Sequence, residues 1–413
     1  MKVHVFEPFA GWHHTKYVAL LLPTLVRMRS AGLLSDVIFT TTTSHYQSEY
    51  FADLLSKFET FVTFDIIPAT HHRLRGFQVS QLLVEAVRRI RPDCVISTSA
   101  NNGLAPLAAR AFFGSPISGP DMISAGVIHN GFAGSVRGVR NRLSDGVQQF
   151  GRRYAPWSEL HVVNPLLYET VISQNRDRPH RVKLLPDPVM IPVKLSRGSA
   201  RELLGIPPDG RYVGQIGKSD GRKAIPELLS AFRSAKLNPN DRLLIAGKLY
   251  EPYRELIERD YAELLEAKRI VLIDRYLSER ELKAAYFAVD VAAVAYYIEE
   301  LSGIMLAAIA AGVPVLASET GYTGMIIRTF DVGWSVDIRN ATSFVAGIET
   351  ALSNSASYTP SDRAQRLLAF HDPQNFVDTL LRSLYERLEL PTVQIKTWDW
   401  VMDDSDVSRK GAC

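Results

Sequence analysis

The sequence of 413 residues has no apolar run near the roughly 20 residues that span a bilayer. Its only cysteines, Cys94 and Cys413, cannot form a disulfide framework, and no Cys/His cluster has zinc-site spacing. Cys94 lies in the apolar segment CVIS and is expected to be a buried, unreactive thiol. Because the start, MKVHVFEPFAGWHH, contains no apolar segment of signal-peptide length, we expect a cytoplasmic protein.

The charge is small overall but unevenly distributed. Residues 1–190 hold 20 Lys and Arg against 14 Asp and Glu, whereas the remainder holds 27 against 30. A basic first half suits an anionic membrane surface or a phosphate-bearing acceptor, although a solvated surface explains any single basic cluster more simply. Nucleic acid is the least favoured partner, because no nucleic-acid-binding motif accompanies the charge.

Strand and helix patterns alternate in the first half of the chain. Strands are predicted at 1–6, 36–40, 93–97, 126–129 and 160–163, and helices at 17–28, 79–90 and 104–112. The segment 10–14 is interpreted as a loop after the first strand. This βαβ rhythm predicts a parallel sheet with helices on both faces.

The same rhythm restarts after the proline-rich segment 186–192, which is interpreted as a hinge. Strands are predicted at 212–216, 242–246, 270–273, 289–295 and 313–317, and helices at 226–235, 304–311, 344–352 and 376–388. Two doubly wound domains would place a ligand in a cleft between the carboxyl ends of their sheets. The polar tail from residue 391 is expected to be poorly ordered.

The most informative motif is EELSGIMLAAIAAGVPVLAS at 299–318. A Ser-Gly step leads into a helix of small residues, and the free amides at a helix start favour an anion. Gly312 and Pro314 would end that helix before the next strand. An ordinary helix–turn–strand unit of an α/β protein remains the alternative interpretation.

Together with VKLLPDPV at 182–189 and GKSDGRKA at 217–224, this motif carries a family resemblance. The chain resembles the GT-B glycosyltransferases, and especially the large retaining, family 4-like group that includes many sucrose, lipopolysaccharide and exopolysaccharide transferases. The resemblance implies an α/β fold of two Rossmann-like domains. It implies an acceptor-binding domain at 1–186, a nucleotide-sugar-binding domain at 187–375, a helix at 376–390 that crosses back to the first domain, and a polar tail at 391–413.

The resemblance assigns the loop after the first strand of the second domain to the donor diphosphate. Lys223 matches a family lysine, and Lys218 stands where the family usually has arginine. Gly217 and Arg222 belong to the same loop. Fixed cations stabilise a departing nucleoside diphosphate without a metal ion. A solvated loop is the alternative, chiefly for Lys218 and Arg222.

The family's acidic motif is present in a variant form. The first of two glutamates, which contacts the donor sugar and is assigned a catalytic role, falls on Glu299, but the second falls on Ala307. The usual contact with the donor ribose is therefore missing or supplied from elsewhere. The resemblance implies that the remaining donor contacts come from the start of the small-residue helix and from a later turn, namely Ser302, Gly303, Ile304, Gly321, Tyr322 and Thr323.

In the first half, the resemblance implies contacts to acceptor and donor sugar. Only Gly11 remains of the family's Gly-Gly pair, followed by His13 and His14, and we assign these residues with Asn101 to the acceptor. His129 ends a predicted strand where related enzymes place a histidine near the reacting carbon, and it is assigned a catalytic role. Surface histidines are the alternative for His13 and His14.

The sequence therefore predicts a glycosyltransferase that uses a nucleotide-sugar, with UDP- or GDP-sugar favoured. It is expected to need no cofactor and no metal, to retain anomeric configuration, and to act on a glycan or lipid-linked acceptor, with peripheral contact to an anionic inner membrane face. An inverting enzyme would need a base, for which His13, His14 or a nearby carboxylate are candidates. A sugar-nucleotide epimerase and a non-catalytic paralogue acting as a partner subunit remain alternatives. A dinucleotide-dependent oxidoreductase is disfavoured, because no strand is followed by G-x-G-x-x-G.

Overall fold

The structure is a computed structural model that describes residues 1–69, 74–113, 121–129, 139–190, 193–297 and 301–403, with only the backbone of 139–145. Two compact units divide the chain. The first unit combines Met1–Asp187 with Pro373–Ile395, and the second combines Pro188–Asp372 with the residues from Lys396 onward. Each unit contains one parallel sheet.

The first unit is built on a sheet of seven parallel strands with the order β3-β2-β1-β4-β5-β6-β7. Its strands are β1 Lys2–Phe6, β2 Asp36–Thr42, β3 Thr63–Ile67, β4 Cys94–Ser97, β5 Ile123–Ile128, β6 Glu159–Val162 and β7 Val182–Leu184. Its helices are α1 Trp12–Ser30, α2 Thr43–Tyr46, α3 Glu49–Leu54, α4 Gly76–Ile90, α5 Leu104–Phe112, α6 Val139–Tyr154, α7 Pro165–Gln174 and, from near the end of the chain, α17 Pro373–Arg387.

The second unit is built on six parallel strands with the order β10-β9-β8-β11-β12-β13. Its strands are β8 Tyr212–Ile216, β9 Arg242–Ala246, β10 Ile270–Ile273, β11 Val291–Val294, β12 Val315–Ser318 and β13 Gly333–Val336. Its helices are α8 Arg197–Leu204, α9 Ile225–Ser234, α10 Glu251–Asp260, α11 Ala262–Glu266, α12 Glu279–Ala288, α13 Gly303–Ala310, α14 Gly321–Phe330, α15 Ala341–Asn354, α16 Asp362–Phe370 and α18 Trp398–Met402.

Both sheets have a point where the strand order reverses direction. In the first sheet β1 lies between β2 and β4, and in the second β8 lies between β9 and β11. At such a point the connections leave towards opposite faces, which opens a crevice at the carboxyl ends of the two central strands. The segments that follow β1, β4, β8 and β11 are therefore the first place to look for a binding site.

Several predicted elements are confirmed, and some boundaries are wrong. The strands 212–216, 242–246 and 270–273 and the helix 104–112 have the predicted limits. The loop predicted at 10–14 is wrong in part, because α1 begins at Trp12 and so contains His13 and His14 in its first turn. His129 follows β5 rather than ending it, since the strand stops at Ile128. Cys94 is buried as predicted, and burial raises the pKa of its thiol to about 12.

The expectation of a poorly ordered tail is wrong for residues 398–402. Trp398–Met402 forms a helix whose Thr397 side chain caps its start. The Trp398 ring packs edge-on against Phe330 and Phe370, at centroid distances of 5.9 and 5.3 Å. Burial of aromatic surface therefore fixes a segment that composition alone describes as polar. Among the described helices, none is both long and apolar enough to cross a membrane.

Candidate functional site

The second unit places a glycine loop against the start of a helix at its switch point. Gly217 follows β8 with φ of +82°, a conformation that favours glycine. A Cβ atom built at Gly217 would lie 3.0 Å from Cδ1 of Ile304, in the first turn of α13. On its other side Gly247 approaches so closely that a Cβ there would lie 2.5 Å from the carbonyl carbon of Gly217. The loop is thus held between the end of β9 and the start of α13.

Lys223 is the buried cation of this loop. Its side chain reaches back beside Gly217, and Nζ donates hydrogen bonds to the carbonyl oxygens of Ile216 at 3.2 Å and Gly217 at 3.5 Å. Nζ also lies 5.6 Å from the centre of the Tyr296 ring. Only 7% of Lys223 is exposed, and burial lowers the pKa of its ammonium group to about 7. A desolvated ammonium group whose described hydrogen bonds go to neutral carbonyl oxygens is poised to bind an anion.

The start of α13 meets this cation through Tyr296. Ser302 caps the helix by accepting a hydrogen bond from the amide of Met305 at 3.2 Å. The same hydroxyl donates to Oη of Tyr296 at 3.4 Å, and Tyr296 forms a backbone bridge with Lys223. Lys223, Gly217, Tyr296, Ser302 and Ile304 therefore form one cluster, which we call the anion cluster. It joins a cation to the positive end of a helix.

The other residues predicted for this site lie differently. Lys218 is exposed, and Arg222 points outward with its guanidinium paired to Asp220 at 2.9 Å. Gly321 begins α14, two strands away from β8, and there Thr323 is buried with its hydroxyl donating to the carbonyl of Ser318 at 3.1 Å. Tyr322 is fully buried beside it. Glu299 lies outside the described residues, so its predicted contact stays a prediction.

The first unit has a charged cluster at its own switch point, centred on Glu7. Glu7 follows β1 and has no exposed surface. Its carboxylate accepts hydrogen bonds from the amide of Phe9 and the hydroxyls of Thr98 and Ser99, at 2.8 to 3.0 Å. It also contacts Nδ1 of His14 at 3.1 Å. Because Thr98 and Ser99 follow β4, the crevice predicted by the strand order is filled with polar groups.

The pKa values of two histidines in this cluster are shifted in opposite directions. Burial raises the pKa of the Glu7 carboxyl, but the ion pair with His14 and its hydrogen bonds outweigh burial and lower it to about 2. Burial lowers the pKa of His14, yet the Glu7 carboxylate raises it above 6.5. For His129, burial lowers the pKa to about 4, so this ring is neutral at pH 7. Pairs of titratable groups pushed apart in this way mark candidate sites.

The neutral tautomer of His129 is fixed by its neighbours. Nε2 lies 2.6 Å from the carbonyl oxygen of Thr98, which can only accept, so Nε2 carries the proton and Nδ1 keeps its lone pair. The ring stacks on Tyr17 at 4.9 Å and meets the His14 ring edge-on at 5.8 Å. Asn101 accepts a hydrogen bond from the His129 amide at 3.0 Å. The structure therefore brings His14, His129 and Asn101 together, as their shared assignment to substrate contacts requires.

The remaining acceptor candidates lie at the beginning of α1. Gly11 precedes the helix with an extended φ of 179°, and its carbonyl accepts from the Thr15 hydroxyl at 2.9 Å. His13 is exposed on the first turn. Within the described ranges, no group of histidine, cysteine, aspartate or glutamate side chains has the arrangement of a metal site.

Glu7 and Tyr296 are functional candidates that sequence reasoning missed. Glu7 directly follows the buried strand KVHVF, in the position at a strand's carboxyl end that drew attention to His129. A charged residue directly after a buried strand is a recognisable sequence signal, and it predicts that Glu7 lies in the crevice. Tyr296 gave no comparable signal, because a tyrosine after an apolar strand is most often a packing residue.

Comparisons with known proteins agree with this architecture. Residues 196–366 match the family model for glycosyl transferases group 1. The fold is similar to sucrose-phosphate synthase from Thermosynechococcus elongatus, with a TM-score of 0.69 and 17% identity over 94% of this chain and 99% of that one. No curated protein matches the sequence.

Two further solved structures are similar over the same share of the chain. HepE of Anabaena, solved in complex with UDP and glucose, has a TM-score of 0.64 and 13% identity over 94% of this chain and all of its own. WaaG, a glycosyltransferase involved in lipopolysaccharide biosynthesis, has a TM-score of 0.62 and 16% identity over 94% of this chain and 99% of its own. These matches confirm the predicted GT-B fold of two Rossmann-like domains.

Proposed function

We propose that this GT-B glycosyltransferase, whose residues 196–366 match the model for glycosyl transferases group 1, transfers a sugar from a UDP- or GDP-sugar to a glycan or lipid-linked acceptor. The second unit holds the donor and the first unit binds the acceptor. The observation that carries this proposal is the anion cluster, in which the buried Lys223 ammonium lies beside the start of α13.

The anion cluster suits the leaving group of this reaction. As the sugar departs, negative charge grows on the nucleoside diphosphate, and a fixed cation stabilises that charge more in the transition state than in the bound donor. Lys223 is already desolvated and placed, so little reorganisation is needed when the charge develops. In this proposal Lys223 and the amides of Gly303 and Ile304 supply the stabilisation, and no metal ion is required.

The protonation states of the first unit favour a retaining reaction. An inverting enzyme needs a base to take the proton of the acceptor hydroxyl. The Glu7 carboxylate raises the pKa of His14, which makes this imidazole a less available base at neutral pH than an unpaired histidine would be. We therefore assign His14 as a hydrogen-bond donor and Nδ1 of His129 as an acceptor for sugar hydroxyls. The departing phosphate then receives the proton.

A non-catalytic paralogue is the second candidate function, and Ala307 favours it. The family's second motif glutamate would fall on this residue of α13, and a methyl side chain cannot bind ribose hydroxyls. Such a protein would bind a nucleotide weakly and show no turnover. An epimerase would instead interconvert nucleotide-sugars without an acceptor, so activity assays with and without acceptors separate the three functions.

The first test measures nucleotide binding by calorimetry with UDP, GDP and their sugar conjugates. Lys223→Met is compared with Lys218→Met, since both remove one lysine from the same loop but only Lys223 is buried. We expect Lys223→Met to weaken binding by about tenfold or more and Lys218→Met to weaken it far less, because an exposed charge is screened by solvent. Equal effects would contradict the assignment of Lys223.

A further inference from the structure

A buried tyrosine of the first unit makes three directed contacts at once. Tyr17 lies on α1, where only 2% of it is exposed. Its hydroxyl donates a hydrogen bond to Oδ1 of Asp187 at 2.7 Å. Its ring stacks on His129 at a centroid distance of 4.9 Å and also meets the Phe376 ring at 4.7 Å. Tyr17 therefore links the histidine assigned to sugar contacts with two segments that lie far away along the chain.

The hydrogen bond between Tyr17 and Asp187 has a fixed direction. Burial and the neighbouring carboxylate both raise the pKa of the Tyr17 hydroxyl well above its ordinary value, so the phenol keeps its proton and donates. A carboxylate that accepts from a hydroxyl makes a short and strong bond, and the distance of 2.7 Å agrees with this. Because both groups are buried, removing either one would cost the other a hydrogen bond that water does not replace.

The backbone around Asp187 holds its carboxylate in place. Asp187 lies between Pro186 and Pro188, and a residue that precedes proline is confined to extended conformations. Two residues before it, the amide of Leu185 donates to the carbonyl of Val162 at the end of β6, at 2.9 Å. The carboxylate is therefore a rigid anchor for its hydrogen-bond partner.

The contact with Phe376 reaches the helix that returns to the first unit. α17 begins at Pro373, where the chain re-enters this unit, and Phe376 lies in its first turn with no exposed surface. Asp187 is the last residue before the chain leaves the same unit. Tyr17 thus contacts the segments at which the chain leaves and re-enters the first unit. A hydrogen bond at the hydroxyl and a contact at the ring together restrict both the position and the tilt of the phenol.

The orientation of Tyr17 in turn restricts His129. Nε2 of His129 is hydrogen-bonded to the carbonyl oxygen of Thr98, which fixes one end of the imidazole but leaves it able to tilt about that bond. Stacking on Tyr17, with an angle of 24° between the ring planes, limits this tilt. The direction of the Nδ1 lone pair is set in the same way. A displacement of about 1 Å in a group that contacts substrate can lower a rate by about 100-fold.

We propose that Tyr17 and Asp187 are positioning residues that align the His129 ring for its sugar contacts. The inference rests on the proposed function for the role of His129, whereas the alignment itself does not depend on turnover. Neither residue needs to touch the substrate, since both act through the ring of His129. If Tyr17 were only a packing residue, its hydroxyl would matter for stability alone.

The first test observes His129 directly, by NMR of the full chain with isotope-labelled histidine. The His129 ring signals are assigned by their absence from His129→Phe. We expect Tyr17→Phe to shift these signals, because the ring at position 17 keeps its size but loses its anchor. Tyr385→Phe is the matched control, since Tyr385 also donates to an aspartate of the first unit, Asp378, at 3.2 Å. Unshifted His129 signals in Tyr17→Phe, or equal shifts in both variants, would overturn the proposal.

The second test is a double-mutant cycle on the turnover of UDP-glucose or GDP-mannose, whichever the parent consumes. We expect Tyr17→Phe to lower kcat about tenfold in the parent but less than twofold in the Asp187→Ala variant, where the hydrogen bond is already absent. Affinity for UDP or GDP should stay the same in every variant, because the anion cluster lies in the second unit. An equal loss of kcat in both backgrounds would show that Tyr17 does not act through Asp187.

Asp187→Asn separates the hydrogen bond from general damage to the fold. Asparagine keeps an oxygen that can accept from Tyr17, so this variant should retain most of the turnover that Asp187→Ala loses. Equal losses with the two substitutions would contradict the role of the bond, provided that thermal unfolding shows both variants to be folded at the assay temperature. A parent that consumes neither donor would refute the proposed function, and the NMR comparison would then decide this inference by itself.

Discussion

Nδ1 of His14 lies 3.1 Å from Oε2 of Glu7, a carboxylate without exposed surface. Such a pair is costly to form, because the carboxylate leaves water completely and the imidazole in part, and costly to break, because the carboxylate would stay buried without its counter-charge. Three neutral donors complete the carboxylate's hydrogen bonds, from Phe9, Thr98 and Ser99. Glu7 therefore orients His14 within the proposed acceptor site and raises the pKa of its imidazole.

We predict that Glu7→Gln lowers both stability and the pKa of His14. An amide removes the negative charge and turns one acceptor into a donor that faces hydroxyl and imidazole groups, so the free energy of unfolding should fall by about 2–4 kcal/mol. Denaturant unfolding measures the loss, and NMR titration of His14 measures its pKa. Glu85→Gln is the control, since Glu85 is exposed on α4 and should cost under about 0.5 kcal/mol.

The stability difference between Glu7→Gln and the parent should depend on pH. The raised pKa of His14 stabilises the folded state fully below 6.5, and this contribution is lost as pH rises through its folded pKa. The lowered pKa of Glu7 stabilises the folded state at pH values above 4.5, the ordinary pKa of a glutamate. That contribution is lost as the pH falls towards 2. The stability difference between Glu7→Gln and the parent should therefore be largest between about pH 4.5 and pH 6.5. A difference independent of pH would show that the pair is not ionised.

A glycine comparison tests the geometry of the anion cluster. Gly217→Ala forces an alanine into a left-handed conformation, at a cost of about 1–2 kcal/mol, and its Cβ would press on Ile304 at the start of α13. We expect UDP or GDP affinity to fall by about tenfold. Gly221→Ala lies in the same loop with open space around the new methyl group and should leave affinity unchanged. Calorimetry on both variants shows whether nucleotide affinity depends on the conformation of Gly217 or falls when any glycine of this loop is replaced.

His129 should matter for turnover more than for nucleotide binding. His129→Phe keeps an aromatic ring against Tyr17 but removes Nδ1 and the hydrogen bond from Nε2 to Thr98. We expect kcat to fall by about 10- to 100-fold while UDP or GDP affinity stays the same, because the anion cluster lies wholly in the second unit. The control is His180→Phe at an exposed position. Weaker nucleotide binding with unchanged kcat would refute the assignment.

Three strands of the second unit could be predicted closely because each is a short, largely apolar run between turn residues, whereas β13, with the sequence GWSV, was not predicted. YVGQI, RLLIA and IVLI have the predicted limits, since β-branched and leucine side chains give a nearly continuous apolar signal, although only Ile270 is buried in the edge strand IVLI. The start of α1 could not be predicted as well. Trp12, His13 and His14 carry little helix preference, and the sequence does not reveal the tertiary contacts that His14 makes with Glu7 and His129.

The candidate site was predicted in part. Lys223 and Ser302 could be found because charge and helix-start chemistry leave a local signal in the sequence. Tyr296 could not, because its role depends on the pairing of β11 with β8, which brings it over Lys223. The tail helix at Trp398 was missed for the same reason, since its stability comes from Phe330 and Phe370, which lie far away along the chain.

The last prediction concerns the pH dependence of donor binding. The pKa of Lys223 is lowered to about 7 by burial, so about half of the unliganded protein lacks this charge at neutral pH. A bound diphosphate restores the charged form, and binding above pH 7 must therefore take up a proton. Affinity for a nucleotide-sugar, whose diphosphate stays fully ionised in this range, should be flat below pH 7 and fall by about tenfold per unit above it.

Calorimetry in buffers of different ionisation enthalpy measures the proton uptake directly. Lys223→Met should abolish both the uptake and the pH dependence, whereas Lys218→Met should preserve them. Without ligand, Lys223→Met should also be more stable than the parent at neutral pH, because a lysine whose pKa is lowered from 10.5 destabilises the folded state while it is charged. That stability gap should be largest below pH 7 and close as pH rises towards 10.5. Donor affinity that is independent of pH in the parent would mean that Lys223 does not bind the diphosphate.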